Sequence, residues 1–228
     1  MAASEPVQQR KGALIWDLPT RLFHWLLALL ILAAFLSDDN RELHERIGTL
    51  ILVLIVFRLI WGVVGGRYAR FRSFLRGPRA VLAHVEEMRQ PNPPQHIGHN
   101  AAGGWMVILL LLLVLVQAGL GLFSNDLITY SGPLSGLISD GLSERLTSAH
   151  KLLSNVILAA IALHVGAVAV YFLWKKQNLV WPMLTGRRAD LNEADLPPLR
   201  ARAPSLFRAL AAVIVAIAVV GGLLSLGR

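Results

Sequence analysis

A chain of 228 residues that is 55% apolar and only 16% charged, with a mean hydropathy of +0.56, is too apolar for a soluble domain of its size. It contains no cysteine, which excludes covalent c-type haem attachment, cysteine-ligated iron–sulfur clusters and disulfide exchange. The net charge of +8 is carried by loops beside apolar runs, so it reads as membrane topology and not as a nucleic-acid partner.

The first apolar run covers about 20–37 and leads into Ser37-Asp38-Asp39 instead of a small-residue cleavage site, so it is expected to remain as a span. A second run, 44–64, follows a short acidic link. Arg67 to Gly98 is long and basic. Within it, 78–90 reads as a short helix lying in the headgroup region, with Val81, Leu82, Val85 and Met88 on one side. Pro91, Pro93 and Pro94 are expected to end that helix. The third run is 101–123, a Gly- and Ser-rich outer loop covers 124–148, and the fourth run is 148–174. A polar linker from 186 to 205 precedes a fifth run, 206–226, whose one ionisable group is Arg208 at its mouth. Each run is near the ~20 residues that cross a bilayer as a helix.

Lysines and arginines concentrate before span one, between spans two and three (Arg67, Arg70, Arg72, Arg76, Arg79, Arg89) and between spans four and five. The positive-inside rule then places the N-terminus in the cytoplasm and the C-terminus on the far side, as expected for a bacterial inner-membrane protein. All six tryptophans fall at the cytoplasmic ends in this arrangement, where an interfacial belt explains them.

Ionisable residues inside spans are costly and usually functional. His24 is near the inner start of span one, and His44 is at the outer start of span two. His150 and His164 share span four. Fourteen residues of helix advance about 21 Å and leave about 40° of rotational offset. These two histidines therefore project from one face at two depths. Topology pairs His44 with His150 at the outer level and His24 with His164 at the inner level. Two bis-histidine haem sites follow, since b-type haem is held by axial imidazoles. Small residues at Gly48, Gly62, Gly103, Gly104, Gly119 and Gly121 would let backbone approach a wide flat ring, although small residues also serve helix packing. Arg58, fourteen residues after His44, is expected near the inner level, either facing a haem propionate or snorkelling to headgroups. His99 could line a quinone pocket, bond a propionate or act as an alternative ligand. His84 is expected on a solvated surface. His96 and His99 open span three.

The stretch Trp16-Asp17-Leu18-Pro19-Thr20-Arg21-Leu22-Phe23-His24-Trp25 resembles the opening of the bacterial cytochrome b561 and nickel-hydrogenase-type cytochrome b family. So do His44-Glu45-Arg46-Ile47-Gly48, Arg58-Leu59-Ile60-Trp61-Gly62 and His99-Asn100-Ala101-Ala102-Gly103-Gly104-Trp105. The segments His150-Lys151-Leu152-Leu153 and Ala162-Leu163-His164-Val165 are similar to its fourth helix. Over about 14–188 the resemblance implies a four-helix transmembrane bundle, all α, with two b haems on His24, His44, His150 and His164. It also implies electron exchange between the quinone pool and a redox partner, such as a periplasmic c-type cytochrome or a hydrogenase. The expected organisation is a cytochrome domain over 1–188, then a linker and accessory fifth transmembrane helix over 189–228. Oligomeric state stays open. Two other classes are compatible with membrane histidines: a transition-metal transporter, and a haem-free anchor for a periplasmic redox enzyme.

Overall fold

The computed structural model describes residues 12–90, 97–128, 130–188 and 206–227. Five helices among them are long and apolar enough to cross a membrane: α1 (Leu18–Leu36), α2 (Arg41–Val64), α5 (Ala101–Leu122), α6 (Asp140–Leu173) and α8 (Leu206–Ser225). The rest is short: α3 (Phe71–Phe74), α4 (Pro78–Arg89), a 3-10 turn at Ser135–Leu137, α7 (Val180–Thr185), and two strands, β1 (Ala13–Leu14) and β2 (Arg187–Arg188). The prolines at 91, 93 and 94, and His96, lie outside the described residues.

Local chemistry sets where these helices begin. Asp17 caps α1, its Oδ1 accepting from the Thr20 amide at 2.8 Å, with a proline in the first turn. Asn40 caps α2 through the Leu43 amide, and Asn100 caps α5 through the Gly103 amide. Asp17 is buried and also accepts from the indole N–H of Trp61 at 3.3 Å, which ties the start of α1 to the end of α2. Asp17→Ala removes a cap and leaves a buried indole N–H unpaired. The expected cost is about 2 kcal/mol, a fall of roughly 4–8 °C in Tm, checked by a thermal melt.

At the same end, β1 and β2 pair antiparallel, and Gly186, in the left-handed region at φ 84°, turns the chain from α7 into β2. Its carbonyl accepts from Ile15 and Trp16. A Cβ on Gly186 would meet the Trp16 carbonyl at 2.8 Å, so this staple needs glycine. It joins the segment before α1 to the segment after α6.

Helix α2 is the centre of the assembly: α1, α5 and α8 pack on it, around Ile47, Ile51, Ile55, Phe57 and Trp61. The fifth span lies along α2 with Ala212, Ala216 and Val220 buried, a small-residue stripe that lets two membrane helices come close. Helix α6 packs on α5 and stands away from α1 and α2.

Helix α6 begins at Asp140, not at 148, and at 34 residues runs about 51 Å, well beyond the ~30 Å hydrocarbon core. The Gly and Ser content of its first two turns predicts a loop there. They are helical because Ser143 and Thr147 bond to the 123–125 segment: Ser143 Oγ donates to the Phe123 carbonyl, and Thr147 Oγ1 accepts from the Asn125 amide.

Helix α4 matches the expected short helix, but its inward side is Val81, His84 and Met88, while Leu82 and Val85 are exposed. The tryptophans also divide. Trp105, Trp174 and Trp181 are exposed and suit an interfacial belt, whereas Trp16 and Trp61 are buried parts of the packing at the basic end. The belt therefore does not explain those two.

Candidate functional site

The structure brings the four histidines of the spans together two by two. His24 of α1 faces His164 of α6 with ring centroids 6.4 Å apart, and His44 of α2 faces His150 of α6 at 6.1 Å. The rings of each pair do not stack, their planes crossing at 58° and 77°. Both pairs bridge the space that α6 leaves by standing away from α1 and α2.

The pairs differ in how they are held. His44 Nδ1 is 2.9 Å from the Ala34 carbonyl, and His150 Nδ1 is 3.0 Å from the Gln117 carbonyl. A carbonyl only accepts, so each Nδ1 is the donor in these bonds, and in the neutral ring each Nε2 keeps its lone pair. Such outer bonds fix ring orientation and raise ligand basicity. Gly121 makes room for this: a Cβ there would lie 3.2 Å from His150 Cε1. At the basic end, His24 Nδ1 is buried without a hydrogen-bond partner.

Other unsatisfied atoms gather near that second pair. Thr20 Oγ1, Arg21 Nε, Arg58 Nη1 and His99 Nδ1 are all buried and unpartnered. Arg58 is only 2% exposed and does not snorkel. Its guanidinium lies 4.9 Å from the Phe71 ring centre and 5.9 Å from that of Phe23, a cation held by aromatic faces with one Nη left over. His99 sits between Trp16 and Phe74, 4.6 Å from each ring. Burial first, and the Arg58 charge second, push its pKa down to about 3. His99 is therefore a neutral imidazole, packed by two aromatic rings.

The glycines split into two groups. Gly62 abuts the Phe71 ring, Gly104 abuts Phe74, and Gly103 abuts the Asn100 cap. These serve packing, not approach to a cofactor. Gly48 and Gly119, near the His44/His150 level, have open space where a Cβ would be.

His84 departs from its expected place. It is 5% exposed, with Nε2 2.9 Å from the Tyr171 hydroxyl and Nδ1 3.2 Å from Glu87. The histidine pattern does not single out Tyr171, although it lies seven residues after His164, two helical turns on nearly the same face.

Among the described residues, no three His, Asp or Glu side chains converge as a metal site would require. Zinc takes three or four such ligands, and here the histidines within the spans come in facing pairs.

Comparison with known proteins agrees with this architecture. The family model described as prokaryotic cytochrome b561 matches residues 15–186. Two relatives carry the name "Probable Ni/Fe-hydrogenase B-type cytochrome subunit". The one from Rhizobium leguminosarum bv. viciae is 24% identical, the alignment covering 85% of this chain and 96% of the relative. The one from Rhodobacter capsulatus is also 24% identical, over 81% of this chain and 84% of the relative. No solved structure matches the chain. With five membrane-crossing helices and a family match over most of its length, the chain belongs to the prokaryotic cytochrome b561 family.

Proposed function

We propose that this protein carries electrons between a quinone and a periplasmic redox partner through two b haems, one on His44 and His150 and one on His24 and His164. The observation that carries this reading is the ring spacing. Imidazoles with centres 6.4 and 6.1 Å apart are close enough for each pair to share one metal, and this recurs at two levels of the bundle. The buried Arg58, with Nη1 unpartnered, adds a cation suited to a propionate.

Haem b supplies a one-electron carrier that needs no covalent link, which suits a chain without cysteine. The protein's part is orientation and electrostatics. Ala34 and Gln117 lock two imidazoles by their Nδ1–H groups. Apolar helix surfaces keep water out, and Arg58 offers fixed positive charge at the basic end.

The expected topology places the basic end in the cytoplasm and the His44/His150 end outside, in a bacterial inner membrane. A hydrogenase or c-type cytochrome would dock at the outer end, and the names of the relatives favour a hydrogenase. The quinone would work at the basic end, where His99, Trp16 and Phe74 meet. Residues 1–188 form the electron-carrying domain, and 189–228 add a linker and a helix that buttresses α2.

A short-chain quinol added to the oxidised, haem-loaded protein is expected to raise a b-type α-band within seconds. Haem bands that stay oxidised under saturating quinol would refute the quinone link.

A further inference from the structure

A chain of hydrogen bonds below the His24/His164 pair has no part in holding either pair. It runs from Glu87 through His84 and Tyr171 to Asn100 and ties α4, α6 and the start of α5 together. The Glu87 side chain is 32% exposed, whereas that of His84 is 6% exposed. The chain therefore leads from the surface of the basic end into the protein.

Its proton order follows from donor and acceptor inventory. Asn100 Oδ1 accepts from the Gly103 amide at 2.7 Å, so the group 2.6 Å from the Tyr171 oxygen is the Asn100 NH2, a donor. The Tyr171 hydroxyl accepts there and, in one of the two orders open to this link, gives its one hydrogen to His84 Nε2. His84 must then carry its proton on Nδ1, which donates to the Glu87 carboxylate. Each link can reverse: a proton entering at Glu87 moves His84 to its other tautomer and turns the Tyr171 hydrogen away from it. An acid–imidazole–phenol series with both orientations available is a proton wire.

The wire ends beside the quinone region. Tyr171 follows His164 by two turns, about 10 Å nearer the basic end and within about 20° of the same face. Asn100 adjoins His99 in sequence. We propose that Glu87, His84 and Tyr171 form the path by which protons pass between water at the basic end and a quinone reacting beside His99, with Asn100 fixing the Tyr171 hydroxyl. This rests on the quinone-linked reading above. Oxidation of one quinol releases two electrons, which the haems would accept when bound, and two protons, which leave in turn through Tyr171, His84 and Glu87. Quinone reduction runs the same steps backwards. Tyr171 exchanges only its proton and is not itself oxidised.

The test uses the full chain in lipid nanodiscs, with wild type, Tyr171→Phe, His84→Gln and Glu87→Gln. Nitrogen-15 NMR of the imidazoles, made specific by the signal lost in His84→Gln, is expected to show His84 protonated at Nδ1. The Nε2 resonance is expected to shift in Tyr171→Phe. Stopped-flow reduction by decylubiquinol is expected to keep its half-saturating concentration within about twofold in Tyr171→Phe and His84→Gln. The limiting rate should fall about 100-fold, the scale of a lost proton-transfer group, with a larger solvent deuterium effect. Haem content should stay at the wild-type level. Wild-type limiting rates and isotope effects in these variants, or an Nε2 resonance indifferent to Tyr171→Phe, would overturn the wire while leaving the haem reading intact. A wild-type protein without haem would overturn both.

Discussion

His164→Ala is expected to lower haem from two per chain to one and to abolish electron passage between quinol and an external acceptor. Loss of outer-shell partners alone costs about 10–100-fold in metal affinity, and this change removes a ligand outright, so the His24/His164 haem should be lost on purification. The His44/His150 haem should remain. It is held some 21 Å away along α6 by its own bonds to Ala34 and Gln117. Pyridine haemochrome assay with protein quantitation reads the stoichiometry, and circular dichroism checks that helix content is kept. Two haems per chain in this variant would show that His164 is not a ligand.

Arg58→Met is expected to act with opposite sign on the haem-free and haem-loaded protein. Without haem, Arg58 is a buried cation with an unpartnered Nη1. Replacing it by an apolar side chain of similar length removes a desolvation cost and should stabilise by about 1–2 kcal/mol, or a few degrees in Tm. With haem, the same change removes the partner of a propionate. Breaking a buried pair costs about 3–5 kcal/mol, at least a hundredfold in haem affinity. Thermal melts of both forms with a haem titration test this. A variant that destabilises both forms equally would assign Arg58 to packing against Phe71 and Phe23 alone.

The parts legible in the sequence were those fixed by the helical repeat and by the alternating direction of successive spans. His150 and His164 had to share a face because fourteen residues nearly complete whole turns. His24 and His44 had to sit at opposite levels because their helices run in opposite directions, and the structure brings each to one partner. Contacts between distant segments were not legible. His84 looks like a surface residue of a polar helix until α6 supplies Tyr171 to receive it. Trp61 looks like an interfacial anchor until Asp17, forty-four positions earlier, takes its indole N–H. Gly104 is open in the sequence to either ring approach or helix packing, and its missing side chain makes room for Phe74 of α3, a four-residue helix with no periodicity to announce it. The early start of α6 is illegible for another reason: glycine and serine mark loops on average, but here two hydroxyls bond to the preceding segment and keep the turns helical.

Whether each facing pair of imidazoles shares one iron is settled most directly by electron paramagnetic resonance of the oxidised wild-type protein alongside haem quantitation. Two low-spin ferric signals of bis-imidazole type, at two haem b per chain, are the expected result. High-spin signals, or a chain that takes up no haem when its helices are intact, would contradict it.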